Sequence, residues 1–170
     1  MNARFHLRPY RPDDEDAVFT ACQDPDIQRW NTVIPSPYTR AVARNWVREQ
    51  APRERSEGRG MPVVVEAGGR LVGSSGVEFT PGVLGPGIGY WIAPEARGRG
   101  YAAEAARALA EWTLGHGAPR VYLVVDVRNT ASQGVARRAG FEREGVVRRC
   151  LAYRDGTQGD AVLFGRVAND

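Results

Sequence analysis

The distribution of apolar positions predicts a series of short strands. Residues 5–10 alternate between apolar and polar side chains, which is typical of a strand with one buried face. Residues 62–66 and 71–79 flank a glycine-containing turn at 67–70, so we expect a hairpin there. Further strands are predicted at residues 89–92, 121–127, 141–151 and 161–167.

Helical patterns account for much of the remaining chain. The acidic run at 13–16 predicts a helix start, because negative side chains suit the positive end of the helix dipole. Residues 101–114 place Ala102, Ala105, Leu109 and Trp112 on one face, the spacing of a helix that packs on a core. Helices are also predicted at 25–30, 39–49 and 131–138, with a proline-rich loop at 31–38 and an exposed connection at 52–60.

The order of these elements, β-α-α-β-β-β-α-β-α-β-β, indicates a mixed α/β domain. The length of 170 residues suits one domain, and no linker-like segment divides the chain. We therefore expect a single domain over residues 1–170.

The charged residues change this picture in one segment. All 23 basic residues are arginine, which excludes lysine-dependent chemistry such as that of P-loop NTPases and pyridoxal phosphate enzymes. Residues 97–149 contain ten arginines and five acidic residues, a net charge of +5, whereas residues 1–96 contain eleven and twelve, a net charge of −1. This basic segment favours a polyanionic ligand.

Several other classes of function are not indicated. No apolar run approaches the roughly 18 residues of a membrane span, and the N-terminus lacks an apolar signal segment. Cys22 and Cys150 form no paired motif, so we expect free thiols and a cytoplasmic protein. His6 and His116 stand alone, which argues against a metal site. The basic segment lacks interleaved aromatic residues, so nucleic acid is not an expected partner. A membrane is not expected either, because no apolar run is long enough.

The segment 92–102, between a predicted strand and a predicted helix, is a candidate anion site. Gly98 and Gly100 allow the backbone to approach a ligand closely. The amides at the helix start carry the positive end of its dipole, and Arg97 and Arg99 add paired donors for phosphate oxygens. The alternative is a glycine-rich surface turn with two solvated arginines.

The same loop also satisfies the dinucleotide fingerprint, through Gly98, Gly100 and Ala103. Asp126 follows at the end of a predicted strand, about 20 residues later, as that motif requires. Against this interpretation, residues 94–97 separate the strand from the first glycine, most of the chain precedes the loop, and too little follows to complete a doubly wound sheet. A nucleotide-dependent oxidoreductase remains an alternative.

Three motifs together resemble a known family. Arg97-Gly-Arg-Gly-Tyr-Ala102 fits the acetyl-CoA loop R-x-x-G-x-A of the GNAT family of N-acetyltransferases. Asn129-Thr-Ala-Ser132 and the later Gly140-Phe141 fit that family's N-x-x-S and G-F elements. The opening Leu7-Arg8-Pro9 and the strand at 89–92 look like the RimJ/RimL branch. The resemblance covers nearly the whole chain.

The resemblance implies a GNAT-like α/β fold. Its mixed, mostly antiparallel sheet is flanked by helices and splayed into a V between the strands ending at 92 and 127. The pantetheine arm of acetyl-CoA, or of another acyl-CoA, would lie in the gap and pair with strand backbone, and no metal is implied. The residues implied to bind this co-substrate are Trp91, Ile92, Ala93, Arg97, Gly98, Arg99, Gly100, Tyr101, Ala102, Asn129, Ser132 and Arg137.

Acetyl transfer to an amine needs a deprotonated amine, a stabilised oxyanion and a hydrogen-bond donor or acid for the leaving thiolate. The resemblance implies that Ser132 is this donor, because Ala136 stands where many relatives have a tyrosine. Ser132 as a helix cap is the alternative. Gly87 stands where relatives often carry an acidic residue, so the base is either Glu78, otherwise an exposed hairpin carboxylate, or a chain of water molecules.

The acceptor pocket is expected around Trp30, Tyr38, Tyr90 and Tyr153, although Trp30 or Tyr38 could instead close the core. The acceptor is either a protein N-terminus or a small-molecule amine, and the acyl group is acetyl or a larger one. Members of this branch are often homodimers. A CoA-binding sensor without turnover is a further alternative.

Overall fold

The computed structural model describes residues 5–79 and 81–168, and its strands form one sheet. Both ends of the predicted domain, residues 1–4 and 169–170, lie outside the described residues. The strands are β1 (His6–Arg8), β2 (Gly60–Ala67), β3 (Arg70–Glu78), β4 (Gly87–Ile92), β5 (Arg120–Asp126), β6 (Glu142–Ala152) and β7 (Gln158–Val167). They confirm the strands expected from the apolar pattern, with small shifts at their ends.

The helices lie between these strands in the predicted order. They are α1 (Glu15–Ala21), α2 (Pro25–Trp30), α3 (Arg40–Asn45), α4 (Ala51–Ser56), α5 (Tyr101–Gly115) and α6 (Thr130–Arg138). Short 3-10 turns at Pro12–Asp14 and Pro94–Ala96 precede α1 and α5. Within residues 5–79 and 81–168, no helix has both the length and the apolar character needed to cross a membrane.

The helix predicted at 39–49 continues further than expected. A π-helical turn, Trp46–Gln50, joins α3 to α4, so the connection predicted at 52–60 is wrong over much of its length. Pro52 lies within this stretch, where a proline normally crowds the carbonyl four residues earlier. The Ala51 amide instead donates to the Trp46 carbonyl, five residues back. This wider turn directly before Pro52 relieves the crowding.

The sheet has the strand order β1-β2-β3-β4-β5-β7-β6. All neighbouring strands are antiparallel except β4 and β5. In the described part of the chain, this parallel pair is in register at Gly87 and Tyr122 alone. Beyond that point the two strands diverge towards Ile92 and Asp126, which confirms the mixed sheet splayed into a V.

The closed end of the V is tightly packed at Gly87. A Cβ atom there would lie 3.0 Å from the Tyr122 ring, so a side chain would require that ring to shift by a few tenths of an ångström. The Tyr122 amide donates to the Pro86 carbonyl at 3.0 Å and closes the gap just before β4 begins. The strands therefore meet tightly at one end and are free to separate at the other.

Helices cover both faces of the sheet. On one face, α5 packs closely through the buried side chains of Ala106, Leu109 and Ala110, because alanines let the helix approach the strands. On the other face, α1, α2 and the helical stretch from residue 40 onward enclose a second cluster that includes Trp91. Strand β6 forms one edge of the sheet and is mostly exposed.

Candidate active site

The open end of the V forms a cleft of about 880 Å³. Its walls come from β4, β5, the loop that leads into α5, the start of α6 and the C-terminal end of α2. The cleft therefore contains most of the residues in the three motifs recognised from the sequence.

The backbone of β4 presents alternate polar groups to this cleft. The Ala93 amide donates to the Val72 carbonyl of β3 at 2.9 Å, and Trp91 pairs with Ser74 in the same ladder. Hydrogen bonds in an antiparallel ladder alternate along each strand. The backbone N–H and C=O groups of Trp91 therefore face β3, and those of Tyr90 and Ile92 face the cleft. Ala93, which was predicted to contact the co-substrate, is buried and does not line the cleft.

The loop before α5 has the conformation that its glycines allow. Gly98 has φ = 75° and Gly100 has φ = 85°, both in the left-handed region that other residues rarely adopt. Gly100 is the N-cap of α5, and the first amides of a helix have no acceptor within it. Arg99, Tyr101 and Ala102 line the cleft beside this helix start, where an anion would meet the positive end of the helix dipole.

The side chain of Arg97 points to a different partner from the one the sequence suggested. Its Nη2 lies 2.5 Å from Asp24 Oδ2, and its Nη1 lies 3.6 Å from Asp26. Asp24 also caps α2 by accepting a hydrogen bond from the Ile27 amide. Burial alone would raise the pKa of Asp24, but these hydrogen bonds outweigh it and lower the pKa. Arg97 therefore joins the glycine loop to the helix that carries Trp30.

The α6 motif places Asn129 and Ser132 at the cleft. Asn129 is the N-cap of α6, and its side-chain oxygen accepts from the Ser132 amide at 3.1 Å. The side chain that caps α6 is therefore Asn129 and not Ser132, although a capping role was the alternative considered for Ser132. The Ser132 hydroxyl has a different partner. Ser132 Oγ lies 2.7 Å from the hydroxyl of Tyr90 on β4. Burial raises the pKa of Tyr90 to about 12, although the hydrogen bond with Ser132 acts against this shift.

Asp126, which the sequence linked only to the dinucleotide alternative, lies in the cleft at the end of β5. It is buried, and it accepts hydrogen bonds from the Arg128 amide, from two guanidinium nitrogens of Arg128 and from the Tyr153 hydroxyl at 2.5 Å. Burial alone would raise its pKa, but these donors lower it to about 2. The carboxylate is thus a poor proton acceptor at neutral pH.

The rim of the cleft near α2 combines an aromatic ring with guanidinium groups. Arg29 lies 4.3 Å from the centre of the Trp30 ring, and Arg128 lies 5.9 Å from the same ring and 4.8 Å from that of Tyr153. Arg154 donates to the carbonyls of Gln28, Asn31 and Ile34 and so holds the β6–β7 loop against the end of α2.

Two predicted site residues, Ala93 and Tyr153, lie outside the cleft lining, with Tyr153 at the rim beside Asp126. Three more lie away from it. Tyr38 is buried in the cluster that contains residues of α1 and α3, so it belongs to the core. Glu78 lies opposite Gly87 at the closed end of the V, because the β3–β4 register places it there. Arg137 lies over the Phe164 ring, and Arg138, one position later on α6, lines the cleft instead.

No group of three or more potential metal ligands is found among the histidine, cysteine, aspartate and glutamate side chains of the described residues. Besides Asp126, the carboxylates that line the cleft are Asp26, near Arg97, and Glu104, in the first turn of α5. The cleft lining thus offers three carboxylates beside its hydroxyl groups, backbone amides and guanidinium groups.

The comparison with protein families and solved structures agrees with this geometry. Residues 4–142 match the acetyltransferase (GNAT) domain. Mycobacterium smegmatis RimJ, solved in complex with CoA-disulfide, is 28% identical with a TM-score of 0.81, over 96% of this chain and 82% of RimJ. A ribosomal L7/L12 alpha-N-protein acetyltransferase, RimL, solved with coenzyme A, has a TM-score of 0.84 at 20% identity, over 99% and 97% of the two chains.

The microcin C7 self-immunity acetyltransferase MccE, solved with acetyl-CoA and AMP, shares the fold with a TM-score of 0.84 at 17% identity, over 98% of this chain and 93% of MccE. The search of curated proteins found no match. Nothing in these comparisons supports the oxidoreductase alternative. Because the family match covers most of the sequence and the fold agrees with it, the chain belongs to the GNAT family of N-acetyltransferases, whose enzymes use acetyl-CoA as the acetyl donor.

Proposed function

We propose that this protein transfers an acetyl group from acetyl-CoA to the primary amine of a peptide or protein N-terminus. The observation that carries the proposal is the cleft between β4 and β5, which has a helix N-terminus at one end and the Ser132 hydroxyl in its wall. Holding both reactants in one cleft supplies much of the rate acceleration without a covalent enzyme intermediate.

The residues present fit acetyl-CoA. The cleft-facing backbone of Tyr90 and Ile92 would pair with the amides of the pantetheine arm, as an added strand would. The loop from Gly98 to Ala102 would receive the pyrophosphate. Asn129 Nδ2 donates to no described residue and would bind the arm from the side of α6. Arg138 is the basic residue best placed for the nucleotide end.

None of the nearby carboxylates is well placed to accept the proton of the amine. Asp126 is occupied by Arg128 and Tyr153, and Asp26 lies 3.6 Å from Arg97. Glu104 lies in the first turn of α5, beside the loop proposed for the pyrophosphate, and Glu78 lies at the closed end of the V. We therefore favour water as the route by which the amine loses its proton. An amide of β4 that faces the cleft would stabilise the oxyanion, and Ser132 would donate a hydrogen bond to the departing sulfur.

The acceptor would enter along the rim formed by Trp30 and Tyr153. This choice is supported by the relatives, since RimL carries the name of an alpha-N-protein acetyltransferase. Tyr90, within the cleft, would limit the size of the acyl group.

Three broader features belong to the same proposal. We place the whole function in one domain over residues 1–170. We place the protein in the cytoplasm, since neither Cys22 nor Cys150 forms a disulfide. A homodimer is supported by the exposed edge strand β6, whose Val146 and Val147 are 44% and 41% exposed. Gel filtration with light scattering measures this oligomeric state directly.

A thiol-release assay tests the proposed activity. The acceptors are short peptides with a free N-terminus, the same peptides with a blocked N-terminus, and small primary amines, each with acetyl-CoA and succinyl-CoA. We expect release with acetyl-CoA and the free peptides, and none with the blocked peptides. Acetyl-CoA binding without release for any amine would instead support a CoA-binding sensor.

A further inference from the structure

The contact between Tyr90 and Ser132 joins the two walls of the cleft. Tyr90 lies on β4 and Ser132 on α6, which follows β5, so their side chains meet across the region where the strands diverge. The hydroxyl oxygens are 2.7 Å apart, and Tyr90 Oη lies 3.3 Å from the Ser132 carbonyl. Both residues line the cleft.

The shorter of the two contacts of the Tyr90 hydroxyl is that with Ser132 Oγ, where either hydroxyl can donate. Because the phenol is the stronger acid, we take it as the donor and the Ser132 oxygen as the acceptor. The Asn129 side chain holds the Ser132 amide, which fixes the first turn of α6 and the position of the Ser132 oxygen. With one lone pair occupied in this way, the serine keeps its own proton for a second acceptor.

Burial determines what Tyr90 contributes. It raises the pKa of Tyr90 to about 12, whereas an ordinary thiol has a pKa near 8.5. Complete transfer of the phenol proton to a thiolate would therefore be unfavourable by a factor of roughly 10³. Tyr90 stays protonated and acts as a hydrogen-bond donor.

We propose that Tyr90 is a positioning residue for the leaving group, whose hydroxyl orients Ser132 so that the serine proton faces the thioester sulfur. This inference rests on the proposed function. The amine nitrogen forms the new bond to the acetyl carbon, the carbon–sulfur bond breaks, and its electron pair leaves on sulfur. Ser132 donates a hydrogen bond to this thiolate. The proton that the nitrogen loses reaches the sulfur through water, so the products are the amide and free CoA thiol.

A purely structural contact between β4 and α6 would have different consequences. It would hold the cleft walls together, so its loss would weaken acetyl-CoA binding and lower the melting temperature. The proposed role affects only the step in which the thiolate leaves. Loss of the Tyr90–Ser132 contact should then lower kcat and leave acetyl-CoA binding unchanged.

The test uses the chain of residues 1–170 and its variants Tyr90→Phe, Ser132→Ala and the double variant. Tyr122→Phe, which removes a hydroxyl from β5 outside the cleft lining, is the matched control. We expect Tyr90→Phe to lower kcat about fivefold and Ser132→Ala at least as much, because a hydrogen bond in such a network contributes a factor of this order. The double variant should match Ser132→Ala within about twofold. The dissociation constant of acetyl-CoA, measured by calorimetry, should stay within about twofold in every variant.

Each other outcome overturns the inference. Additive losses in the double variant would mean that Tyr90 acts independently of Ser132. A loss in Tyr90→Phe with full activity in Ser132→Ala would make Tyr90 the direct donor. A melting temperature lowered by more than about 5 °C, or weaker acetyl-CoA binding, would make the contact structural. A wild-type protein that acetylates none of the amines would instead contradict the proposed function itself.

Discussion

At the scale of single residues, Asn129 combines a structural and a binding role that substitution can separate. Asn129→Ser keeps an oxygen that can cap α6 but lacks the longer amide donor, whereas Asn129→Ala lacks both. We expect both variants to weaken acetyl-CoA binding about 3- to 10-fold, and Asn129→Ala alone to destabilise the fold by about 1 kcal/mol. Calorimetry and thermal unfolding measure these effects. Unchanged affinity in both variants would exclude Asn129 from the co-substrate site.

The second prediction at this scale concerns Asp126 and pH. Its folded-state pKa of about 2 is below the unfolded value, so the charged form stabilises the fold above pH 4. That contribution is lost as the pH falls from 4 towards 2. We expect Asp126→Asn to lower the free energy of unfolding by about 2 kcal/mol at pH 7, and by much less near pH 3. Urea unfolding at several pH values measures this difference, which should not be constant with pH.

At the scale of elements, the ion pair between Arg97 and Asp24 joins the co-substrate loop to α2, the helix that carries Trp30. Asp24→Asn retains an N-cap oxygen but removes the charge, and Arg97→Gln removes the other partner. We expect both variants to raise the acceptor KM about 2- to 5-fold, the range for an exposed pair, with little change in acetyl-CoA affinity.

Arg99→Gln is the control for this pair, because Arg99 lines the cleft at the helix start. It should weaken acetyl-CoA binding and leave the acceptor KM unchanged. If Arg97→Gln weakens acetyl-CoA binding as strongly as Arg99→Gln does, Arg97 contacts the phosphates after all, as its place in the motif suggested.

Local sequence patterns predicted most elements because periodicity, glycine and proline act over a few residues. The strands and the bounds of α5 follow directly from such patterns, but Trp112, which was predicted on the buried face of α5, is 41% exposed. The extension of the helix past Pro52 depends on a wider turn that no local pattern indicates. The contact of Arg97 with Asp24 spans 73 positions, and that of Tyr90 with Ser132 spans 42. Side-chain contacts between such distant residues depend on how the elements that carry them are placed. The motifs therefore located the cleft, but they did not indicate which side chains contact each other within it.

At the scale of the whole molecule, acetyl-CoA bound in the gap between β4 and β5 should raise the free energy of unfolding. A ligand that binds only the folded state at 100 times its Kd stabilises it by about 2.7 kcal/mol. For a chain of this size we expect the melting temperature to rise by about 5–10 °C. NAD(H) and NADP(H) should give no such rise. A rise with NADP(H) and none with acetyl-CoA would contradict the acetyltransferase assignment.

Amide hydrogen exchange can locate this effect. The amides of Tyr90 and Ile92, which face the cleft, should become protected when acetyl-CoA binds. The Trp91 amide, on the side facing β3, is an internal control whose exchange should change least. Equal protection of all three would indicate general stabilisation rather than pairing with the pantetheine arm.

The single parallel pair between Gly87 and Tyr122 also determines how the molecule could be divided. Strands β1–β4 all precede α5 in the chain, and β5–β7 all follow it, so the backbone passes from one half of the sheet to the other only once within the described residues. A break in the turn around Gly117 would leave the strand pairing within both fragments intact. The two fragments would then reassociate mainly through helix packing and through a ligand that bridges them. The fold is therefore a natural starting point for a split protein whose assembly reports acyl-CoA.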